Sequence, residues 1–66
     1  MKNHIKGLRA YRSMTQAELA EKAGVSRQTI NTIESARYVP STVLALKISA
    51  IFEKPVNEIF ELEEGD

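Results

Sequence analysis

Sixty-six residues amount to one domain, near the lower size at which a single hydrophobic core holds a chain folded without metal or disulfide. The lack of cysteine excludes disulfide staples and thiolate zinc sites, and the lone His4 reads as a surface side chain, because one imidazole cannot build a metal site without several carboxylate partners. Residues 1–40 hold seven Lys or Arg against three Glu, whereas residues 41–66 hold two Lys against six acidic residues, so a chain of zero net charge can still turn a positive face to a polyanion.

No apolar run approaches the roughly 20 residues of a membrane span, and MKNHIKGLRAYR has charges where a signal peptide would be apolar. A cytoplasmic protein is expected. Helical spacing recurs along the chain and strand-type alternation does not persist, which predicts an all-α fold. A first helix, about Asn3 to Arg12, places Ile5 and Leu8 on one side. Thr15-Gln16-Ala17-Glu18 is a capping box that opens a second helix, with Met14 and Leu19 at the spacing of a hydrophobic staple. That helix should stop at Gly24, the residue best able to take the left-handed conformation.

Only Val25 separates Gly24 from the next cap, Ser26, so a third helix over Ser26 to Glu34 follows a sharp turn, and residues 15–34 form a helix-turn-helix unit. After a loop over Ser35 to Pro40, Pro40-Ser41 announces a fourth helix from Thr42 to Phe52. Pro55 suits the first turn of a fifth, with Val56, Ile59 and Phe60 on one face. The acidic tail, residues 61–66, should be loose. If it has structure, Phe60 to Leu62 can pair as a short strand with Met1 to Asn3 or with a second subunit.

The third helix carries the argument for function. Successive residues lie about 100° apart, which puts Ile30 and Ile33 near one side, Gln28 and Thr32 opposite, and Arg27 and Asn31 adjoining. These are side chains able to read base edges: Arg pairs with guanine, Gln or Asn with adenine, and the Thr methyl can touch that of thymine. A solvated outer face has the same composition, since polar outer faces are ordinary.

Gln16, Ala20, Gly24, Ile30 and Ile33, in that order and spacing, resemble the helix-turn-helix signature of the Cro/phage-repressor type, the xenobiotic-response-element family of bacterial regulators. The likeness runs through IKGLRAYRSMTQAELAEKAGVSRQTINTIE, a loop ending in PS, LALKI and PVNEIF. It implies a compact five-helix, lambda-repressor-like DNA-binding domain whose recognition helix is Ser26 to Glu34. On the same resemblance Arg27, Gln28 and Thr32 match the base readers. Arg12, Thr15, Gln16, Ser26, Asn31, Arg37 and Tyr38 fall among backbone or supporting contacts, and Arg9 and Glu34 match a structural pair. Family members often have glycine where Ala36 stands, and Gly or Asn where Glu53 stands. Either the backbone is not left-handed there, or the fold tolerates strain of about 1 kcal/mol.

Val43, Leu46 and Ala50 make a second apolar stripe on the fourth helix, and with Phe60 and Leu62 they form a candidate dimer interface. The leading function is therefore a transcriptional regulator, a repressor that binds double-stranded operator DNA as a homodimer. An antitoxin or accessory protein acting mainly through a protein partner is the alternative. Ser26 and the other hydroxyl residues have no histidine at motif spacing, so no catalytic site is expected, and neither is a cofactor, a metal or a small-molecule ligand.

Overall fold

Backbone pairing begins at the second residue, where β1 (Lys2–Asn3) runs antiparallel to β2 (Phe60–Glu61), with Lys2 opposite Glu61 and Asn3 opposite Phe60. The computed structural model describes residues 1–66, and five helices lie between the strands: α1 (Ile5–Tyr11), α2 (Gln16–Ala23), α3 (Arg27–Glu34), α4 (Thr42–Phe52) and α5 (Val56–Ile59). The all-α expectation with a short terminal strand pairing is met.

Helix starts follow local hydroxyl chemistry. Thr15 accepts the N–H of Glu18 at 3.0 Å while the Glu18 carboxylate accepts the N–H of Thr15 at 3.1 Å, completing the capping box. Ser26 and Ser41 accept the N–H groups of Thr29 and Leu44, at 3.1 and 3.2 Å, and so set the starts of α3 and α4.

Two expected boundaries shift. The first helix begins at Ile5 rather than Asn3, because the Asn3 carboxamide accepts the Ile5 N–H at 3.2 Å and draws the chain into an extended start. Pro55 is the cap of α5 rather than part of its first turn, and Phe60 leaves the helix for β2 while staying buried.

Helix ends share one device. The residues after α1, α2, α3 and α4 include Ser13, Gly24, Ala36 and Glu53, with φ of 52°, 71°, 61° and 55°. In each case the next N–H reaches back to close the helix: Met14 to the Arg9 carbonyl, Val25 to Ala20, Arg37 to Thr32 and Lys54 to Ser49. Only one of the four left-handed positions is glycine. The backbone at Ala36 and Glu53 is thus left-handed without it, and Ser13 is a third such site.

Ile5, Leu19, Ile30, Ile33, Ile48, Phe52 and Ile59 are each at most 1% exposed, so every helix sends at least one side chain to a single core. Partly buried Met14 and Val25 pack against the same core that holds Leu19 and Ile30, the residues expected to complete their staples. The helix α3 is shorter than the roughly 12–15 residues an isolated helix needs. Burial of Ile30 and Ile33, at about 1.5–3 kcal/mol each, holds it on α2, its main neighbour. Ala20, 3% exposed, keeps that crossing close.

The acidic tail, expected to be loose, folds back on the N-terminus. The Met1 amine lies 3.5 Å from Glu63 and 3.3 Å from Asp66, and Glu61 lies 3.7 Å from Lys2 and 3.3 Å from His4. The Glu63 N–H, with help from the Met1 amine, holds the Asp66 carboxyl below its usual range. No helix is long and apolar enough to cross a membrane.

Candidate nucleic-acid interface

Because Ile30 and Ile33 face inward, Arg27, Gln28 and Asn31 stand exposed and Thr32 half-buried on the opposite side of α3. A groove of about 450 Å³ is lined by Arg27, Gln28, Asn31, Thr32 and Arg37, with no hydrophobic residue among them. Arg27 also borders a second groove that contains Thr15 and Gln16 at the start of α2, so one polar surface runs from α2 across α3 to the loop after it.

The polar ends on this surface are largely free. Arg27, Gln28, Asn31 and Arg37 make no side-chain hydrogen bond or ion pair within the chain. The Thr32 hydroxyl donates to the carbonyls of Gln28 and Thr29, at 3.1 and 2.9 Å, which leaves its methyl and one lone pair for any outside partner. Ser26 is occupied as the cap, its hydroxyl also 2.9 Å from that of Thr29. Tyr38 is 49% exposed in the loop beyond Arg37 and does not line the groove.

The far end of α3 is fixed by side chains from two other elements. Glu34 accepts Nε and Nη2 of Arg9 at 2.6 and 2.9 Å, and Nε2 of Gln16 at 3.3 Å. Arg9 donates further to the Met14 carbonyl at 2.9 Å, joining α1, the turn before α2 and the last residue of α3. The hydrogen bond to Glu34 outweighs desolvation and raises the Arg9 pKa above its ordinary value, so the guanidinium stays charged. Asn3, which sequence reasoning missed, donates to the Ile33 carbonyl at 2.8 Å from 30 residues away.

Arg12 is placed differently from the expectation. Its Nη1 and Nη2 donate to the carbonyls of Ile51 and Phe52 at 3.1 and 2.7 Å, its guanidinium carbon lies 5.8 Å from the centre of the Phe52 ring, and Glu53 is 3.8 Å away. A cation at the free carbonyls of a helix end satisfies them and complements the helix dipole. The side chain is a clamp on α4, and it borders neither groove along α3.

The expected association residues divide as well. Val43, Leu46 and Leu62 are 64%, 55% and 81% exposed and Ala50 is exposed, whereas Phe60 is 8% exposed and packs in the core. Its remaining surface borders an apolar groove shared with Val39 and Leu46. No group of three or more His, Cys, Asp or Glu side chains converges as a metal site would require.

A short helix seated on its predecessor across the three residues Gly24 to Ser26, with unengaged donors along its outer face, defines a helix-turn-helix DNA-binding unit. Residues 5–59 match the family described as Helix-turn-helix. The chain is 47% identical over 66 residues, the full length of both, to an uncharacterized HTH-type transcriptional regulator of Methanocaldococcus jannaschii. It is 48% identical over 64 residues, 97% of each chain, to the uncharacterized HTH-type transcriptional regulator YgzD of Bacillus subtilis. It is also 42% identical over 55 residues to the immunity repressor protein of Bacillus phage phi105, covering 71% of this chain and 38% of that one. The protein therefore belongs to the helix-turn-helix family, in its Cro/phage-repressor (xenobiotic-response-element) group.

Proposed function

We propose that this protein is a cytoplasmic, sequence-specific transcriptional repressor that binds a palindromic operator in double-stranded DNA as a homodimer, with α3 in the major groove. The observation that carries this reading is the outer face of α3, where Arg27, Gln28, Asn31 and Arg37 keep their donors free around one groove without apolar lining. Arg27, Gln28 and Thr32 read base edges, Thr32 through its methyl. Gln16, Asn31, Arg37 and Tyr38 meet the sugar-phosphate backbone and fix register, supported by the caps Thr15 and Ser26. The name of the phage relative, an immunity repressor, supports repression over activation.

The homodimer rests on Val43, Leu46, Ala50 and Leu62, apolar residues left in solvent on one small domain. A two-fold pair of recognition helices about 34 Å apart then reads two successive major grooves on one side of the duplex. The same exposed residues favour a second reading, an antitoxin or accessory protein whose main contact is another protein. Selection of bound sequences from random duplex DNA separates the two. A palindromic consensus is the expected result, and no enrichment at all would overturn the regulator reading in favour of the second.

A further inference from the structure

We propose that Lys6 on α1 grips a DNA phosphate in the groove between α1 and α3, which extends the nucleic-acid surface onto a helix outside the helix-turn-helix unit. The inference rests on the reading of α3 as the helix that meets DNA. The groove is lined by Lys6, Arg9, Gln16, Asn31, Glu34 and Ser35. It shares Asn31 with the groove along the outer face of α3, and Gln16 with the groove that Arg27 borders, so all three are continuous.

Charge accounting within the groove favours an anion. Arg9 and Glu34 neutralise each other through two hydrogen bonds, which leaves the Lys6 ammonium as the uncompensated charge. Lys6 is exposed and forms no ion pair. Other cations of the basic half are engaged or lie elsewhere: Lys2 is 3.7 Å from Glu61, Arg12 holds the α4 carbonyls, and Lys22 shares a groove with Glu18 and Glu21. Lys6, Arg27 and Arg37 are thus the three free cations bordering α3, one on the α1 side, one at the start of the helix and one beyond its end. A lysine on a flexible stem suits a phosphate as a point charge, with Asn31 supplying an additional uncommitted amide donor.

The test compares the wild type with Lys6→Ala, Lys6→Arg and Lys47→Ala, each binding the selected duplex and a random-sequence duplex between about 50 and 200 mM salt. Lys47 is exposed, unpaired and borders none of the grooves along α3, so its removal controls for net charge alone. Loss of one phosphate contact makes the slope of log affinity against log salt shallower by about 0.9, so Lys6→Ala should lose about 3.5-fold less affinity than the wild type across that range, on both duplexes alike. Lys6→Arg and Lys47→Ala should keep the wild-type slope. The proposal is overturned by a wild-type slope in Lys6→Ala, or by equal flattening in Lys47→Ala, while the wild type still binds DNA. A wild type that binds neither duplex would overturn the reading of α3 as well.

Discussion

Glu34, the last residue of α3, receives both Nε and Nη2 of Arg9 on α1, at 2.6 and 2.9 Å, with the two side chains only 7% and 14% exposed. A bidentate pair so enclosed fixes the angle at which α3 leaves the domain, and breaking it strands one charge among buried neighbours. Arg9→Met alone or Glu34→Leu alone should cost about 3 kcal/mol, a large share of the roughly 3–10 kcal/mol a chain of this size has. The double variant, which removes both charges, should be more stable than either single one. Urea unfolding of the three variants provides the measurement, and a double variant no better than the worse single one would refute the pairing energy.

The Arg9 pKa shift gives a pH expectation whose sign is set by its direction. A folded-state pKa raised above the unfolded value stabilises the fold at all pH below the unfolded value and is lost only as pH rises through the folded one. Since even the ordinary arginine value lies far above neutrality, titration of Arg9 should leave thermal stability flat between about pH 6 and 9. A wild-type melting temperature that falls steeply over this range, with the fall absent in Arg9→Met, would contradict it.

Arg12 offers a contrast between two cations three residues apart. Its guanidinium is engaged with the Ile51 and Phe52 carbonyls, so Arg12→Ala should destabilise the fold by about 1–2 kcal/mol, the scale of a charge-assisted hydrogen bond at a helix end. The folded variant should keep the wild-type salt dependence for random DNA. A shallower slope with unchanged stability would instead return Arg12 to the phosphate contacts.

The left-handed helix ends predict a gain of stability. Gly should relieve strain at Ala36 and Glu53, each worth up to about 1 kcal/mol after the extra flexibility of the unfolded chain is counted. Ala36→Gly and Glu53→Gly should therefore raise the melting temperature, singly and almost additively, and Gly24→Ala should lower it. Neutral or lower values in both glycine variants would mean that contacts made by the Ala36 and Glu53 side chains outweigh the backbone strain.

These ends also mark where the sequence stops being readable. Thr15, Ser26 and Ser41 reveal helix starts because a cap and its acceptor lie three residues apart, and the periodicity of Ile30 and Ile33 alone identifies which face of α3 is free. Ser13, Ala36 and Glu53 adopt left-handed backbones against their own preference, held there by the packing of the helices they join, so no local signal announces them. Asn3 and Arg12 find their partners 30 to 40 residues along the chain, on carbonyl groups that every residue type carries. A side chain that grips a distant carbonyl leaves no mark at the residue it grips, which is why Arg12 resembled an interface cation.

Base reading by α3 is tested most directly at Gln28, exposed, without an intramolecular partner, and central to the outer groove. Gln28→Ala should cost about 1–3 kcal/mol on the selected site and relax the preference at one base pair, with random-sequence affinity unchanged. Equal weakening on every duplex would make Gln28 a backbone contact.

The dimer depends on apolar area that the fold leaves in water. On α4, Leu44, Ile48 and Phe52 turn inward while Val43 and Leu46 stay 64% and 55% exposed, so their exposure does not follow from a lack of room in the core. Leu46→Glu or Val43→Glu adds a charge where a second copy would bury the methyl groups. Desolvating an unpaired carboxylate costs several kcal/mol, enough to dissociate a micromolar dimer worth about 8 kcal/mol. Sedimentation should then show monomer with helicity intact, and operator affinity should fall far more than affinity for a single half-site, because only the operator uses both recognition helices at once. A wild type that sediments as a monomer at micromolar concentration would defeat the dimer, and full operator affinity in Leu46→Glu would place the interface elsewhere.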